Sequence, residues 1–483
     1  MCDGVPTFGD GVPTFGDGVF GNAFNMRDKW DIDDQFVLPT LEDLVDNSEA
    51  QHDTIDMTNV YYDTADQDLR AHGIELRRRD GDRETGWLLK IPDGHGPAEL
   101  RWLPSDDPPA EAIALLTGVT LRKPIETLAK IHTVREHHRI GTPQRCVEVD
   151  DDRVRASVGE RLLAWREIKV ESGASSLAKR FAKRLRSGGA RPVRYSSRLA
   201  RACPPAATPK PATPGSRALV AYLNAQIDQV IAGDIALRRG RDPIHDTRVA
   251  IRRLRSTLRV FGNQFDDPSV DTLEGELKWF AGLLGAVRDC QVQRRRFTEA
   301  LQDVPDKLIL GPVQSRIRQD LQAVEFPART QVSEAMESER YLTVMATLCH
   351  WRLQPPVDRD IAVSALRNKT RRAGRKADRR LAAALESGDD AVLHRARKAA
   401  KRARYAAELC RPFDKRMKRT AKHYKEIQSV LGDHQDTMVA IETLRRMAVA
   451  AGTTDGENGF TFGILYAREQ QIARQSRAAA RNI

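Results

Sequence analysis

Residues 243–261 read PIHDTRVAIRRLRSTLRVF, and this stretch determines the class of fold in the second half of the chain. Its apolar residues recur every three or four positions, which predicts an amphipathic helix. The helix carries one histidine and five arginines, and its acidic residue, Asp246, falls in the first turn. Because like charges three or four positions apart on a helix repel each other, we expect a source of negative charge outside this helix.

A second copy of this stretch begins at His394. The segments HDTRVAIRRLR (245–255) and HRARKAAKRAR (394–404) share the histidine and the basic residues three, seven, eight and ten positions after it. Each copy is followed by a lysine six residues before a Leu-Gly pair and by an aspartate, Asp289 or Asp436, five residues after that leucine. The spacing predicts an internal duplication that gives two related helical bundles.

One ridge, beside the stripe expected to face the core, lies within about 80° at 100° per residue and consists of His245, Arg248, Arg252, Arg255 and Arg259. In the second copy the same ridge consists of His394, Arg397, Lys401 and Arg404. A solvated surface would explain such a ridge, but its repetition without interleaved acids favours an anion-binding surface. The planar guanidinium group suits phosphate oxygens, and a row of cations suits a chain of phosphates. The histidine that opens each ridge either contacts phosphate or fixes the helix start. The candidate binding residues are His245, Arg248, Arg252, Arg255, Arg259, Lys278, Arg372, Arg375, Arg379, His394, Arg397, Lys401, Arg404 and Lys425.

The composition of the 483-residue chain is basic, with a formal net charge of +11 and a pI near 9.4. This excess favours a polyanionic partner such as nucleic acid, an anionic membrane or polyphosphate. Aromatic residues are sparse on the ridges, which argues against single-stranded nucleic acid, while duplex binding through its backbone stays open. No run of apolar residues is long enough to span a membrane, the six cysteines are scattered, and no signal pattern opens the chain, so we expect a cytoplasmic protein.

The organisation of the chain follows from changes in pattern. A Gly- and Pro-rich repeat at residues 1–24 predicts a low-complexity leader. Residues 25–202 contain short alternating runs typical of antiparallel strands. Residues 203–215 are a Pro-rich linker, residues 216–450 are helical, and residues 451–483 form a tail. The expected fold class is therefore α+β, with a β-rich domain before an all-α duplicated bundle.

The duplicated motif resembles that of the CHAD family, the conserved-histidine α-helical domain, over roughly residues 216–450. The resemblance implies a basic channel between two helical bundles that binds inorganic polyphosphate.

The strand segments resemble the CYTH family, the triphosphate tunnel metalloenzymes. The matching pieces are YYDT, LRRRDG, WLLKIP, VEVDDD, WREIKVE and SSRLARA. The resemblance implies an eight-stranded antiparallel β-barrel that binds a triphosphate in its lumen. The implied triphosphate contacts are Lys29, Arg77, Arg79, Lys90, Arg135 and Arg198, and the carboxylates available to Mg²⁺ or Mn²⁺ are Glu148, Asp150, Glu167 and Glu171.

The first strand departs from the family motif ExExK, whose glutamates help to hold the metal ion. The segment NMRDK places Asn25 and Arg27 at the glutamate positions and keeps Lys29. Lys169 also replaces a usual acidic residue, and Arg198 stands where the family has lysine. Because cations repel a metal ion, we expect metal-dependent hydrolysis to be impaired or lost, unless the altered first strand reflects a misassigned start or frame.

Three functions follow as alternatives. The first is a polyphosphate-binding protein whose triphosphate tunnel is degenerate or serves as a second anion site. The second is an active metal-dependent triphosphatase, if the four remaining carboxylates suffice to hold a metal ion. The third is a nucleic-acid-binding protein.

Overall fold

The computed structural model describes residues 29–39, 50–81, 84–93, 96–142, 145–172, 175–204, 211–387 and 389–480. It divides into two compact units, residues 1–207 and 208–483. The predicted leader and the positions Asn25 and Arg27 lie outside the described residues. No helix in the described ranges is long and apolar enough to cross a membrane.

The first unit is built on one antiparallel sheet with strand order β5-β4-β3-β2-β6-β7-β8-β1-β9. The described residues form nine strands where eight were expected, because the two-residue β9 adds to the far side of β1. The bounds are β1 Lys29–Ile32, β2 Ala50–Asp63, β3 Glu75–Asp80, β4 Gly86–Asp93, β5 Gly96–Trp102, β6 Glu126–Thr142, β7 Arg145–Val158, β8 Arg161–Ser172 and β9 Arg191–Pro192.

The described part of this unit also contains the helices α1 Asp68–Ala71, α2 Ala110–Thr120, α3 Ser175–Ser187 and α4 Arg198–Ala202. The predicted helix at the end of this region is α3, which stops before a glycine pair, whereas α2 was not predicted. Phe181 and Leu185 of α3 are fully buried in a core cluster with Trp30 of β1 and Ile168 of β8. This packing leaves the opposite face of β1 and β8 for polar residues.

The second unit is helical. Its helices are α5 Pro214–Arg238, α6 Ile244–Phe261, α7 Val270–Gln302, α8 Val313–Met336, α9 Glu339–Leu353, α10 Val363–Ser387, α11 Asp390–Cys410, α12 Arg416–Gly452 and α13 Phe460–Ala480. The last of these packs into the core beside α12 and α7 through the buried Phe462 and Leu465.

The predicted core stripes beside the two basic ridges are confirmed. In α6, Ile251, Leu254 and Leu258 are buried. In α11 the corresponding stripe is made of alanines, and Ala400 and Ala403 are completely enclosed. Small side chains let neighbouring helices approach closely, so the ridge of α11 is held near other elements.

Candidate functional site

One face of the sheet carries charged side chains, because alternate residues of a strand point to the same side. Glu167, Lys169 and Glu171 share this face of β8. The register places Lys29 of β1 and Asp150 of β7 on either side of Lys169. The sheet therefore brings residues from distant segments to the same place.

Arg198 of α4 links these strands. Its Nε donates to Oε1 of Glu167 at 2.7 Å, and its Nη1 donates to Oγ1 of Thr133 at 3.2 Å. Its Nη2 pairs with Asp152, whose other carboxylate oxygen accepts from Nε of Arg135 at 2.8 Å. We call the following group the sheet cluster: Lys29, Arg135, Asp152, Glu167, Lys169 and Arg198.

Burial controls the charges of the sheet cluster. Burial opposes ionisation of Asp152, but the nearby Arg198 and the hydrogen bond from Arg135 lower the pKa of this carboxyl group below its usual value. Burial lowers the pKa of Lys29, and the neighbouring Arg198 and Lys169 act in the same direction, against the attraction of Glu167. The cluster thus combines fixed ion pairs with a lysine whose positive charge is only partly balanced.

The other expected triphosphate contacts continue along this face. Nη1 of Arg77 donates to the hydroxyl of Tyr61 at 3.4 Å, and the buried Nε of Arg77 has no hydrogen-bond partner within the described residues. Arg79 pairs with Glu84 at 2.6 Å and with Asn59 at 3.1 Å. Lys90 lies in register between Glu75 and Glu99. Arg135, Arg198 and Lys29 are therefore grouped, whereas Arg79 and Lys90 lie among carboxylates or amides of neighbouring strands.

The four carboxylates expected to hold Mg²⁺ or Mn²⁺ do not fit a metal ion, because each lies beside a cationic or imidazole group. Asp150 pairs with Arg135 at 2.9 Å and with His137 at 2.7 Å. Glu167 pairs with Arg198, Glu171 pairs with Lys169, and Glu148 lies 3.9 Å from Arg139. No cluster of three or more ligand side chains with metal-binding geometry exists among the residues that the structure describes.

The helical unit repeats one arrangement in its two copies. The guanidinium group of Arg248 lies against Gly285 of α7, and its Nη1 approaches Oδ1 of Asp289 at 3.7 Å. In the second copy Arg397 lies in the same way against Gly432 of α12. A β-carbon at either glycine would come within 3.2 or 3.1 Å of the arginine Nη2 atom. The Leu-Gly pairs of the two copies therefore make room for these two arginines.

The two ridges meet at what we call the inner cluster. Its members are Arg248, Arg252, Asp289, Arg397, Lys401 and Asp436. Lys401 of α11 lies among Arg397 of its own helix, Arg252 and Arg248 of α6, and Asp436 of α12. Burial and the neighbouring guanidinium groups lower its pKa to about 7. Four partly buried cations from both copies thus lie close together, with one aspartate from each copy nearby.

The inner cluster contains unused hydrogen-bond donors. The Nε atoms of Arg252 and Arg397 are buried and have no hydrogen-bond partner in the described ranges. Burial also lowers the pKa of Arg248 and of Arg397, with Arg252 acting in the same direction on both. Buried donors without partners are costly, so each of these two Nε atoms could form a favourable hydrogen bond with an added acceptor.

The two histidines flank this region. His245 is exposed, whereas Nδ1 of His394 lies 3.0 Å from Oε1 of Gln435. Partial desolvation of the rings, together with nearby cations, lowers the pKa of both histidines. At neutral pH they are therefore uncharged groups at the edge of the inner cluster.

Some ridge arginines already have carboxylate partners, either on another helix or one turn further along the same helix. Arg255 and Arg259 pair with Glu274 of α7 at 2.7 and 2.9 Å. Arg404 pairs with Glu408 at 2.9 Å, and the same carboxylate accepts from Arg253 at 3.2 Å. The negative charge expected from outside α6 therefore comes partly from the protein itself.

The remaining candidates lie at the surface. Lys278, Arg372, Arg375, Arg379 and Lys425 are exposed. Sequence reasoning missed Lys398, Arg402 and Arg380, which lie near the ridge of α6. The basic residue eight positions after each histidine was visible in the repeat and would have identified Arg402.

Comparison with known proteins agrees with this division. The family model for the CYTH domain matches residues 35–188, and that for the CHAD domain matches residues 221–445. An uncharacterized protein of Mycobacterium tuberculosis, found in two strains, is 29% identical over 93% of both chains.

Two solved structures resemble the chain. PptA from Streptomyces chartreusis covers 56% of the chain and 99% of its own length, at 21% identity and a TM-score of 0.47. The CHAD domain from the plant Ricinus communis covers 57% and 95%, at 26% identity and a TM-score of 0.44. From the family matches, the chain consists of an N-terminal CYTH domain at residues 35–188 followed by a C-terminal CHAD domain at residues 221–445.

Proposed function

We propose that this protein binds inorganic polyphosphate through its CHAD domain. The observation that carries the proposal is the inner cluster, in which cations of both sequence copies converge and two buried arginine Nε donors lack partners in the described part of the chain. Phosphate oxygens accept paired hydrogen bonds from guanidinium groups. The cations follow one another along two helices. A chain of phosphates can therefore contact more of them than a single phosphate can.

The test is a binding measurement with polyphosphate of defined length. Replacing Arg248, Arg252, Arg397 and Lys401 together by alanine should weaken binding by at least about a hundredfold, because several charge-assisted contacts are lost. A matched control removes four exposed arginines of the same unit, Arg295, Arg340, Arg445 and Arg477. Unchanged affinity in the first variant, or an equal loss in both, contradicts the proposal.

We infer that the CYTH domain is a second anion site that works without a divalent metal ion. The pairing of each candidate ligand carboxylate supports this, as does the pair Lys29 and Lys169 on adjacent strands. We also propose that the sheet closes into a tunnel. Arg198 bonds to β6, β7 and β8 and lies near Tyr61 of β2 and Lys29 of β1, which a flat sheet would hold roughly 19 Å apart.

The metal question has a direct test. Tripolyphosphate should bind in the presence of EDTA, and no phosphate should be released when Mg²⁺ or Mn²⁺ is added. Phosphate release that requires either metal and disappears in Lys90→Ala would support the alternative of an active triphosphatase.

Nucleic acid is the remaining alternative, favoured by the net charge of +11. If long polyphosphate displaces duplex and single-stranded nucleic acid at matched salt, polyphosphate is the preferred ligand; if it fails to do so, nucleic-acid binding gains. We further propose the domain limits 25–202 and 216–450 with a linker at 203–215, and a cytoplasmic location.

A further inference from the structure

A second group of cations surrounds Glu274 of α7, beside the C-terminal half of α6. Arg255 Nε donates to its Oε1 at 2.7 Å, and Arg259 Nη2 donates to its Oε2 at 2.9 Å. Lys398 and Arg402 of α11 lie close to these arginines. We call the following residues the Glu274 cluster: Arg255, Arg259, Glu274, Lys278, Arg380, Lys398 and Arg402.

The cluster has more positive than negative charge. Burial lowers the pKa of Arg402, and the neighbouring Arg259 and Arg380 lower it further. Burial and the nearby Arg402 and Lys278 likewise lower the pKa of Lys398. Glu274 is ionised, since its pairing with the two arginines lowers its pKa despite its partial burial. Glu274 and the nearby Asp271 therefore face six cations, and the excess of positive charge is unfavourable unless an anion joins them.

The cluster also borders a partly open cavity. A cavity of about 340 Å³ is lined by Leu258, Arg259, Asp271, Glu274 and Arg402. This volume lies at the lower end of the range of small-ligand sites, roughly 300–1,000 Å³. The ridge of α6 connects this cavity to the inner cluster, because Arg252 and Arg255 lie three residues apart on one helix face.

We propose that the Glu274 cluster is a second phosphate subsite of the CHAD domain, in which the Glu274 carboxylate competes with the phosphate of the ligand. This inference rests on the proposed binding of polyphosphate at the inner cluster. Glu274 occupies the donors of Arg255 and Arg259 when the ligand is absent, which limits repulsion among the cations. It also weakens the attraction of this subsite for a phosphate chain that extends from the inner cluster. Glu274 therefore influences both the affinity for polyphosphate and the length of polyphosphate that the domain binds.

The experiment measures the affinity of the full-length chain for polyphosphate by calorimetry at several salt concentrations. Glu274→Gln keeps the shape of the side chain and removes its charge. Two arginines then become available to phosphate, so we expect binding about tenfold tighter and a steeper dependence on salt. Arg402→Ala should instead weaken binding by about tenfold, and the gain from Glu274→Gln should shrink when the two changes are combined.

The controls lie on neighbouring parts of the same unit. Glu276 of α7 pairs with Arg340 at 2.5 Å and is not a member of the Glu274 cluster. Glu276→Gln and Arg340→Ala should leave affinity within about twofold of the unmodified chain. If Glu274→Gln binds polyphosphate no more tightly than Glu276→Gln, the subsite proposal is wrong.

The two proposals fail in different ways. If the unmodified chain binds polyphosphate through the inner cluster but Glu274→Gln and Arg402→Ala have no effect, only the subsite proposal is overturned. If neither the unmodified chain nor Glu274→Gln binds polyphosphate, both are overturned.

Discussion

Lys401 shows how burial and charge act together on one residue. It lies near Arg397, Arg252 and Arg248, and Asp436 only partly offsets them. In the free protein its pKa of about 7 keeps much of the side chain neutral above neutral pH. Phosphate oxygens would reverse this balance, because an anion stabilises the charged form.

We therefore predict that binding of polyphosphate takes up a proton above pH 7. The ligand raises the pKa of Lys401 from about 7 towards the ordinary lysine value, so the complex holds more protons than the free protein between these two pKa values. Affinity should consequently fall as pH rises from 7, by up to about tenfold per unit. Calorimetry at pH 8 in buffers of different ionisation enthalpy measures the uptake.

Lys401→Arg is the control for this prediction. Arginine stays charged over the whole range, so the proton uptake assigned to Lys401 should disappear while binding persists. Equal proton uptake in both proteins would show that another group titrates.

Arg198 gives a prediction about stability. Asp152 is fully buried and Glu167 nearly so, and both pair with Arg198. Arg198→Ala leaves two buried carboxylates without this partner and should reduce the free energy of unfolding by roughly 3–5 kcal/mol. Arg153 is exposed on β7, next to Asp152 in the sequence. Arg153→Ala should therefore reduce the free energy of unfolding by less than about 0.5 kcal/mol. Urea unfolding of both variants checks the difference, and a similar small cost in each would contradict the assigned role.

Two helix pairs, α6 with α7 and α11 with α12, each place an arginine over a glycine. The glycine weakens its own helix, since glycine lacks the favourable helix propensity of alanine. Both copies nevertheless have glycine at this position, because a β-carbon there would crowd the arginine guanidinium group. The two copies therefore share this contact as well as their fold.

We predict that Gly285→Ala weakens polyphosphate binding while it increases the stability of helix α7. The new methyl group would lie 3.2 Å from Nη2 of Arg248 and push the guanidinium group aside, weakening polyphosphate binding by roughly three- to tenfold. The helix itself should gain up to about 1 kcal/mol. Calorimetric binding and thermal unfolding measure both effects.

Gly282→Ala is the matched control on the same helix. Nothing lies within 4 Å of a β-carbon added there, so this variant should gain stability and keep its affinity. If both variants bind polyphosphate equally well, the contact between Arg248 and Gly285 does not position the ligand site.

The complete chain joins two units whose electrostatics differ. In the CYTH domain most charges of the sheet cluster are already paired, whereas the inner cluster of the CHAD domain keeps buried donors without partners in the described residues. Long polyphosphate should therefore stabilise mainly the helical unit.

Scanning calorimetry of the complete chain tests this expectation. Polyphosphate at a hundred times its dissociation constant should stabilise the helical unit by about 2.7 kcal/mol and raise its Tm by roughly 5–10 °C. The fourfold alanine variant of the inner cluster should show no such rise. A rise of equal size in that variant would place the binding elsewhere.

Local pattern was sufficient to predict several elements and sites. The 3.6-residue period identified α6 and α11, and alternation identified strands such as β3 and β8, because these signals depend on near neighbours in the chain. The repeat itself identified Arg248 and Arg397 as equivalent positions. Helix α2 and the short β9 were missed, since neither carries a distinctive pattern of its own.

The amino-acid sequence was enough to predict the order of domains and the two basic ridges, both of which depend on residue type and spacing. The ion-pair partner of each charged residue could be identified only from the folded structure. Arg253 meets Glu408 across 155 positions and Arg198 meets Asp152 across 46. Such pairs form because packing of helices and register of strands bring distant residues together, and no periodicity along the chain records that distance. The same packing leaves the Nε donors of Arg252 and Arg397 without partners among the described residues, and it pairs Asp150 and Glu167 with arginines.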